Sequence, residues 1–163
     1  MTRSDFVARF GGVYEHSAWV AEGAFDPGLP PDADTAEGLA RALSAAMRAA
    51  PRERQLELVR AHPDLAGRLA RAGGLTREST DEQRSAGLDQ CSEEELARFT
   101  VLNETYTTKF AFPFIMAVKG RTRAEILEAF ERRVENDPEA ELRTALDEID
   151  RIALLRLRDM VRA

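Results

Sequence analysis

Three times in this chain a serine or threonine stands three residues ahead of a glutamate: Ser79 before Glu82, Ser92 before Glu95 and Thr122 before Glu125. Each pair has the form of a capping box, which satisfies the orphan N–H groups at the start of an α-helix. The second heads an apolar run of helical period to about Phe110, and the third heads one reaching Val134. Other start and stop signals punctuate the rest. Ser4 reads as the cap of a short helix ending at Gly11-Gly12, and a second helix is expected from about Tyr14 to Gly23. The alanine- and leucine-rich stretch 35–50 has a strong helical period, and Pro51 stands where proline favours the first turn of a helix over 51–61. A further helix is expected after Pro63, stopping at Gly73-Gly74, and Asp137-Pro138 opens the last one. The expected fold is all-α: one domain over residues 1–163, a helical bundle of about eight helices with one extended apolar segment.

That segment is FPFIMAVKG at 112–120. It has a proline at its second position, carries Ile and Val, and finds no other stretch to pair with as a strand. Extended backbone among helices leaves N–H and C=O groups in need of partners. A polar ligand could supply them. So could loop side chains and water, and the residues alone favour this second reading.

The composition narrows the function. With 44% hydrophobic residues the 163-residue chain can bury a real core. Its net charge of −6, with arginines scattered among glutamates, speaks against a nucleic-acid binder, which needs a concentrated basic face. The lone Cys91 excludes an intrachain disulfide, suits a reducing compartment and reads as a bystander. No apolar run approaches the ~20 residues of a membrane span. The first ten residues show no signal-peptide core, and the end shows no peroxisomal tripeptide, so a cytoplasmic location is expected. The two histidines, His16 and His62, stand far apart with no paired cysteines, so no metal site is expected.

Three polar residues intrude where apolar or bland ones belong. On the last helix Leu142, Ala145, Leu146, Ile149, Ile152, Ala153 and Met160 share a face, and Arg156 falls inside it. A guanidinium there needs an anion: an internal carboxylate, the commoner case, or a carboxylate on a substrate. Asn103 sits in the stripe of Leu96, Phe99, Tyr106 and Phe110 and reads as structural, an anchor for the 112–120 segment. His62 precedes a proline, so its helix should end near Ala61 and the imidazole should project from a helix–helix corner. Its unperturbed pKa of about 6.5 suits acid–base work, although a lone histidine more often packs. Glu82 is either the acid of a capping box or, if a pocket forms there, part of a helix N-terminus offering N–H groups beside Ser79 and Gln83.

Longer motifs sharpen the reading. AHPDLAGRLA (61–70), LTRESTDEQRSAGL (75–88), LNETYTTKFAFPFIMAV (102–118) and RIALLRL (151–157) occur in this order, with FGGVYEHSAW (10–19) ahead of them. Together they resemble the 2-oxo-4-hydroxy-4-carboxy-5-ureidoimidazoline (OHCU) decarboxylase family of urate degradation, over essentially the whole chain. The resemblance implies a cofactor-free lyase that removes CO₂ from OHCU and delivers (S)-allantoin, on an all-helical and often dimeric fold. It implies catalytic roles for His62 and Glu82. It also implies ligand contacts at Pro63, Ser79, Thr80, Asp81 and Gln83, contacts to the backbone of Phe114, Ile115, Met116, Ala117 and Val118, and a substrate-binding Arg156. Its partners would be the small substrate and product and a second copy of the chain, with no nucleic acid and no membrane. The chain departs from the family pattern at Ala18, usually proline, and at Ala111, usually glycine; if position 111 needs a positive φ, alanine is strained there. Two alternatives stand beside this reading: a non-catalytic module whose apolar groove binds a partner helix, and a lyase or hydrolase acting on another ureide or hydantoin.

Overall fold

The computed structural model describes residues 1–67 and 73–162. Among these, eight α-helices alternate with turns: α1 Arg3–Phe10, α2 Trp19–Phe25, α3 Ala36–Ala49, α4 Arg52–Ala61, α5 Arg77–Ser85, α6 Glu93–Phe110, α7 Arg123–Arg133 and α8 Pro138–Arg162. Short 3₁₀ turns lie at Pro31–Asp34 and Leu88–Gln90, and no strand forms among the described residues. The all-α expectation holds. The helix expected between Pro63 and Gly73 falls largely on residues 68–72, outside the described residues, while 63–67 are not helical.

Two of the three expected capping boxes close as read. Ser92 and Thr122 accept the N–H of Glu95 and Glu125, whose carboxylates take the cap residues' own N–H groups. The third does not form at Ser79. Thr76 caps α5 instead, its hydroxyl accepting the Ser79 N–H at 3.2 Å. Starting the helix three residues earlier turns Ser79 and Gln83 onto one buried face. At the N-terminus the cap is likewise Thr2 and not Ser4, because Asp5 stands three residues after Thr2 and completes a box that Ser4, followed by Val7, cannot. The expected helix from Tyr14 starts only at Trp19. Residues 13–18 are turns in which His16 takes a left-handed φ of 49° and Tyr14 is a core residue.

The chain divides into two compact units, Met1–Ala61 with Ile149–Ala163, and His62–Glu148. In the first, α1 packs on α2 and α2 on α3. Phe6, Leu43, Met47, Leu58, Ile149 and Leu157 are fully buried there. Asp150 gathers three donors: the Tyr14 hydroxyl at 2.6 Å, the Ser44 hydroxyl at 2.8 Å and Arg48 Nη2 at 2.8 Å. Burial and the adjacent carboxylate push the Tyr14 hydroxyl far above its ordinary pKa, so it stays a donor.

The second unit is built on aromatic rings. Tyr106 of α6 meets Phe110 at 4.4 Å and, edge-on, Phe114 at 5.5 Å and Phe130 at 5.8 Å. Offset and edge-on ring pairs of this kind add about 0.5–1.5 kcal/mol each beyond their buried area. Segment 113–118 is neither helix nor strand, and Phe114 to Val118 are all buried.

Helix α6 ends at Ala111, whose φ of 62° and ψ of 26° are left-handed. A Cβ is disfavoured in this region, which is the strain foreseen if position 111 needed a positive φ. Ala111→Gly is therefore expected to raise stability by about 0.5–1 kcal/mol, net of the extra freedom glycine gives the unfolded chain. Urea denaturation of the two proteins checks this; an unchanged or lowered midpoint contradicts the strain.

Candidate functional site

His62 follows the last residue of α4 directly and is 8% exposed. The proline after it stops the helix, as its steric bulk demands. The loop that follows is pinned from two helices. Gln83 of α5 accepts the Ala66 N–H at 3.0 Å and donates to the Asp64 carbonyl at 3.2 Å. Asn103 of α6 donates to the Leu65 carbonyl at 3.1 Å. Three successive residues are thus fixed by two neutral amides, which lets Ala66 hold a left-handed φ of 50°. A side chain at Gly67 would place a Cβ 2.6 Å from the Asp64 Cβ, so the glycine of the HPDLAG motif is a steric requirement. Asn103 was expected to anchor the 112–120 segment; its amide points to the histidine loop instead. Its Oδ1 is buried without a hydrogen-bond partner among the described residues.

The remaining expected residues fall on three elements. On α5, Ser79 and Gln83 are buried, Thr80 and Glu82 are half-buried and Asp81 is exposed, as helical spacing requires. Since the cap is Thr76, the reading of Glu82 as a capping acid is overturned, and so is the reading of 79–82 as a free helix N-terminus. The N–H groups of Ser79 and Thr80 are taken by Thr76. Gln83, expected to face ligand, spends at least one donor and one acceptor on the histidine loop. Pro63 is half-buried in that same loop. A cavity of about 400 Å³ beside it is lined by Ala66, Thr80, Gln83, Arg84, Asp89 and Cys91. Burial pushes the Cys91 thiol up, away from a reactive thiolate, which fits a bystander.

Arg156 belongs to the other unit. There it is 6% exposed and pairs with the buried Glu15 carboxylate at 2.9 Å, while its Nη1 donates to the Val13 carbonyl at 3.3 Å. The internal anion is therefore present. Sequence periodicity could not have found Glu15, because it lies in the 13–18 turns and not on a helix face.

Segment 113–118 receives side-chain partners at two backbone groups. The Ile115 carbonyl accepts from Arg133 Nη1 at 2.6 Å, and the Ala117 N–H donates to Glu148 at 3.3 Å. Among the described residues no protein group pairs with the N–H or C=O of Met116, although the residue is only 9% exposed. Side chains thus serve two of the segment's backbone groups, in line with the reading that the residues favoured, and Met116 is among those without a protein partner there. No group of three or more histidine, cysteine or acidic residues among the described ones could hold a metal ion, and no helix among them is long and apolar enough to cross a membrane.

Asp64 belongs to the clamped loop two residues after His62, and burial raises its carboxyl above the ordinary value. A raised folded-state pKa means that the native protein holds this proton more tightly than the unfolded chain. Stability is then lost as pH rises from the unfolded to the folded pKa, and the deficit persists above it. Asp64→Asn is expected to match the wild type at acid pH and to exceed it increasingly as pH climbs through the carboxylate range. Urea midpoints measured from pH 3 to 7 test this, and parallel curves contradict it.

Comparison with known proteins gives the chain its family. The sequence profile of the OHCU decarboxylase family matches residues 1–158. The 2-oxo-4-hydroxy-4-carboxy-5-ureidoimidazoline decarboxylase of Haloferax volcanii is 47% identical over 152 residues, covering 93% of this chain and 86% of its own. The mouse (Mus musculus) protein of the same name is 37% identical over 167 residues, covering 100% and 90%. Among solved structures, an (S)-allantoin synthase superposes with a TM-score of 0.78 at 32% identity, over 98% of this chain and 50% of that one. An OHCU decarboxylase solved in the presence of (S)-allantoin gives 0.72 at 28% identity, over 93% and 96%. With a profile matched across nearly its whole length and relatives this similar, the chain belongs to the OHCU decarboxylase family.

Proposed function

We propose that this protein is a carboxy-lyase that decarboxylates OHCU to (S)-allantoin in urate degradation. The observation that carries the reading is the family match across residues 1–158, a span that includes the His62-Pro63 corner, residues 79–83 of α5 and the 114–118 segment. Of what the interaction-module alternative requires, Arg156 does pair internally, with Glu15, but Glu82 is not the acid of a Ser79 capping box, because Thr76 caps α5.

The chemistry asks little of the protein beyond orientation and one proton. The substrate carries a carboxylate and a hydroxyl on one ring carbon, next to a ring C=N. When the C–C bond to the carboxylate breaks, CO₂ leaves and the bonding pair spreads into the C=N, so the substrate is its own electron sink. The nitrogen of the former C=N takes up a proton, the hydroxyl carbon ends as a carbonyl as its own proton is released, and the neighbouring carbon takes a proton on one face, so that one proton is consumed overall. That face sets the handedness of the product.

In this proposal His62 relays the proton. Its short loop, pinned by Gln83 and Asn103, supports the role, because an acid–base group must be held within hydrogen-bond reach of its target. Glu82 contacts the substrate hydroxyl or sets the protonation of His62. Pro63, Ser79, Thr80, Asp81 and Gln83 line the ligand, and Arg156, its head fixed by Glu15, meets an anionic part of it. The backbone of Phe114–Val118 pairs with the ureide and ring amides, a role that the open groups of Met116 support. The proposal includes one domain over residues 1–163, no resident cofactor, a cytoplasmic location and a homodimer.

The test is an assay coupled to urate oxidase and hydroxyisourate hydrolase, following optically pure (S)-allantoin by circular dichroism against spontaneous decay. His62→Asn is expected to lower turnover by about 10²–10⁴-fold, the usual worth of general acid–base catalysis, while changing allantoin affinity by less than about tenfold. Full turnover in that variant would end the assignment of His62.

A further inference from the structure

Segment 113–118 is gripped at two points on either side of Met116, by two side chains outside the set that the family resemblance implies. Arg133, the last residue of α7, donates from Nη1 to the Ile115 carbonyl, and its guanidinium lies 4.3 Å from the Phe114 ring centroid. Phe114 stacks in turn on Phe130, with centroids 3.9 Å apart and planes inclined by 10°. The other edge of the guanidinium is fixed by Glu141 Oε2, from Nε at 3.1 Å and Nη2 at 3.0 Å. A planar guanidinium bonded along two edges and stacked on a ring has little freedom left. On the far side of Met116, Glu148 of α8 holds the Ala117 N–H.

Peptide planarity turns these grips into an orientation. The C=O of Ile115 and the N–H of Met116 belong to one rigid trans plane and point in opposite directions, as do the C=O of Met116 and the N–H of Ala117. Drawing the Ile115 carbonyl onto Arg133 therefore aims the Met116 N–H away from Arg133. Drawing the Ala117 N–H onto Glu148 aims the Met116 carbonyl away from Glu148. The two groups so aimed are among several backbone groups of the segment that have no protein partner among the described residues. The residues supplying the grips differ in kind, a cation for the carbonyl and an anion for the N–H, so each is the charge-assisted form of its bond.

We propose that Arg133 and Glu148 are positioning residues. They set the two peptide planes flanking Met116 so that its N–H and C=O meet a donor–acceptor edge of a cyclic ureide or hydantoin. The proposal rests on the reading that the 114–118 backbone contacts substrate. The test compares wild type, Arg133→Lys, Glu148→Ala and Glu148→Gln in the coupled assay, with (S)-allantoin binding by calorimetry and folding by circular dichroism. The lysine keeps the charge beside Glu141 but cannot hold both edges; glutamine keeps the oxygen acceptor that alanine removes. Arg133→Lys and Glu148→Ala are expected to raise KM and the allantoin Kd about tenfold with kcat within about threefold, the scale of one misplaced hydrogen bond in the ligand. Glu148→Gln is expected to restore most of the loss. Folded variants with wild-type KM and Kd overturn the positioning role, whatever their melting temperature. Should Arg133→Lys fail to fold, the Glu148 pair decides alone; should that pair also fail to fold, both residues serve stability only and the proposal falls. A wild type that neither turns over OHCU nor binds allantoin overturns the reaction assignment and this role with it.

Discussion

Glu141 is a carboxylate with no exposure to solvent, and much of its unit is arranged to supply it with partners there. Arg133 forms the ion pair, the Tyr106 hydroxyl donates a short hydrogen bond, and Asn136 Nδ2 donates at 3.0 Å. Burial and this carboxylate together push the Tyr106 hydroxyl well above its ordinary pKa and keep it a donor. An uncompensated charge in such a place costs about 3–5 kcal/mol when its partner is lost. The geometry is therefore strongly enforced, and it reaches further than the pair. Tyr106 comes from α6, Arg133 from α7, Glu141 from α8, and Arg133 passes the constraint on to the Ile115 carbonyl. One buried charge thus ties three helices and an irregular segment into a single arrangement.

The histidine loop is held differently. Its clamps are the neutral amides of Gln83 and Asn103, which satisfy two backbone carbonyls and an N–H without placing a formal charge on the loop. For a residue proposed to trade a proton the distinction matters. A carboxylate or guanidinium used as a structural clamp would also bias the charge of a nearby imidazole, whereas an amide bonds the backbone and leaves that bias to other groups. Asn103 Oδ1, buried and without a partner among the described residues, marks the place where this clamp is incomplete.

What could be read in advance follows from what each signal encodes. Helix period and capping chemistry are local, so α3, α6, α7 and α8 were legible nearly to the residue, and so was most of the buried stripe carrying Arg156, although Leu157 belongs to it and Met160 is only half-buried. Where two caps competed, at Thr76 against Ser79 and at Thr2 against Ser4, pattern alone failed at one site for want of the tertiary term: the α5 register is the one that buries Ser79 and Gln83 together. At the other the local rule suffices once aspartate is admitted as the box acid. Partners were the least legible feature. Glu15 lies in a turn, Arg133 at a helix end among other arginines, and Asn103 reaches across to Leu65; each acquires its meaning from a residue remote in sequence.

A helical protein has a particular difficulty in recognising a heterocycle built from amides. An α-helix consumes its own backbone donors and acceptors except at its ends, where the open groups are all N–H or all C=O. A ureide or hydantoin edge presents both kinds side by side, and a helix terminus can answer only one. A stretch of backbone excluded from helix and sheet can answer both, but left to itself it would be flexible or would close on its own groups. Charged side chains at Ile115 and Ala117 remove that freedom while leaving the intervening residue open. On this account the side chain of Met116 matters less than its backbone. The pressure on the segment falls on its apolar burial and on the two grips, which explains why a run as hydrophobic as FPFIMAV forms neither a helix nor a strand.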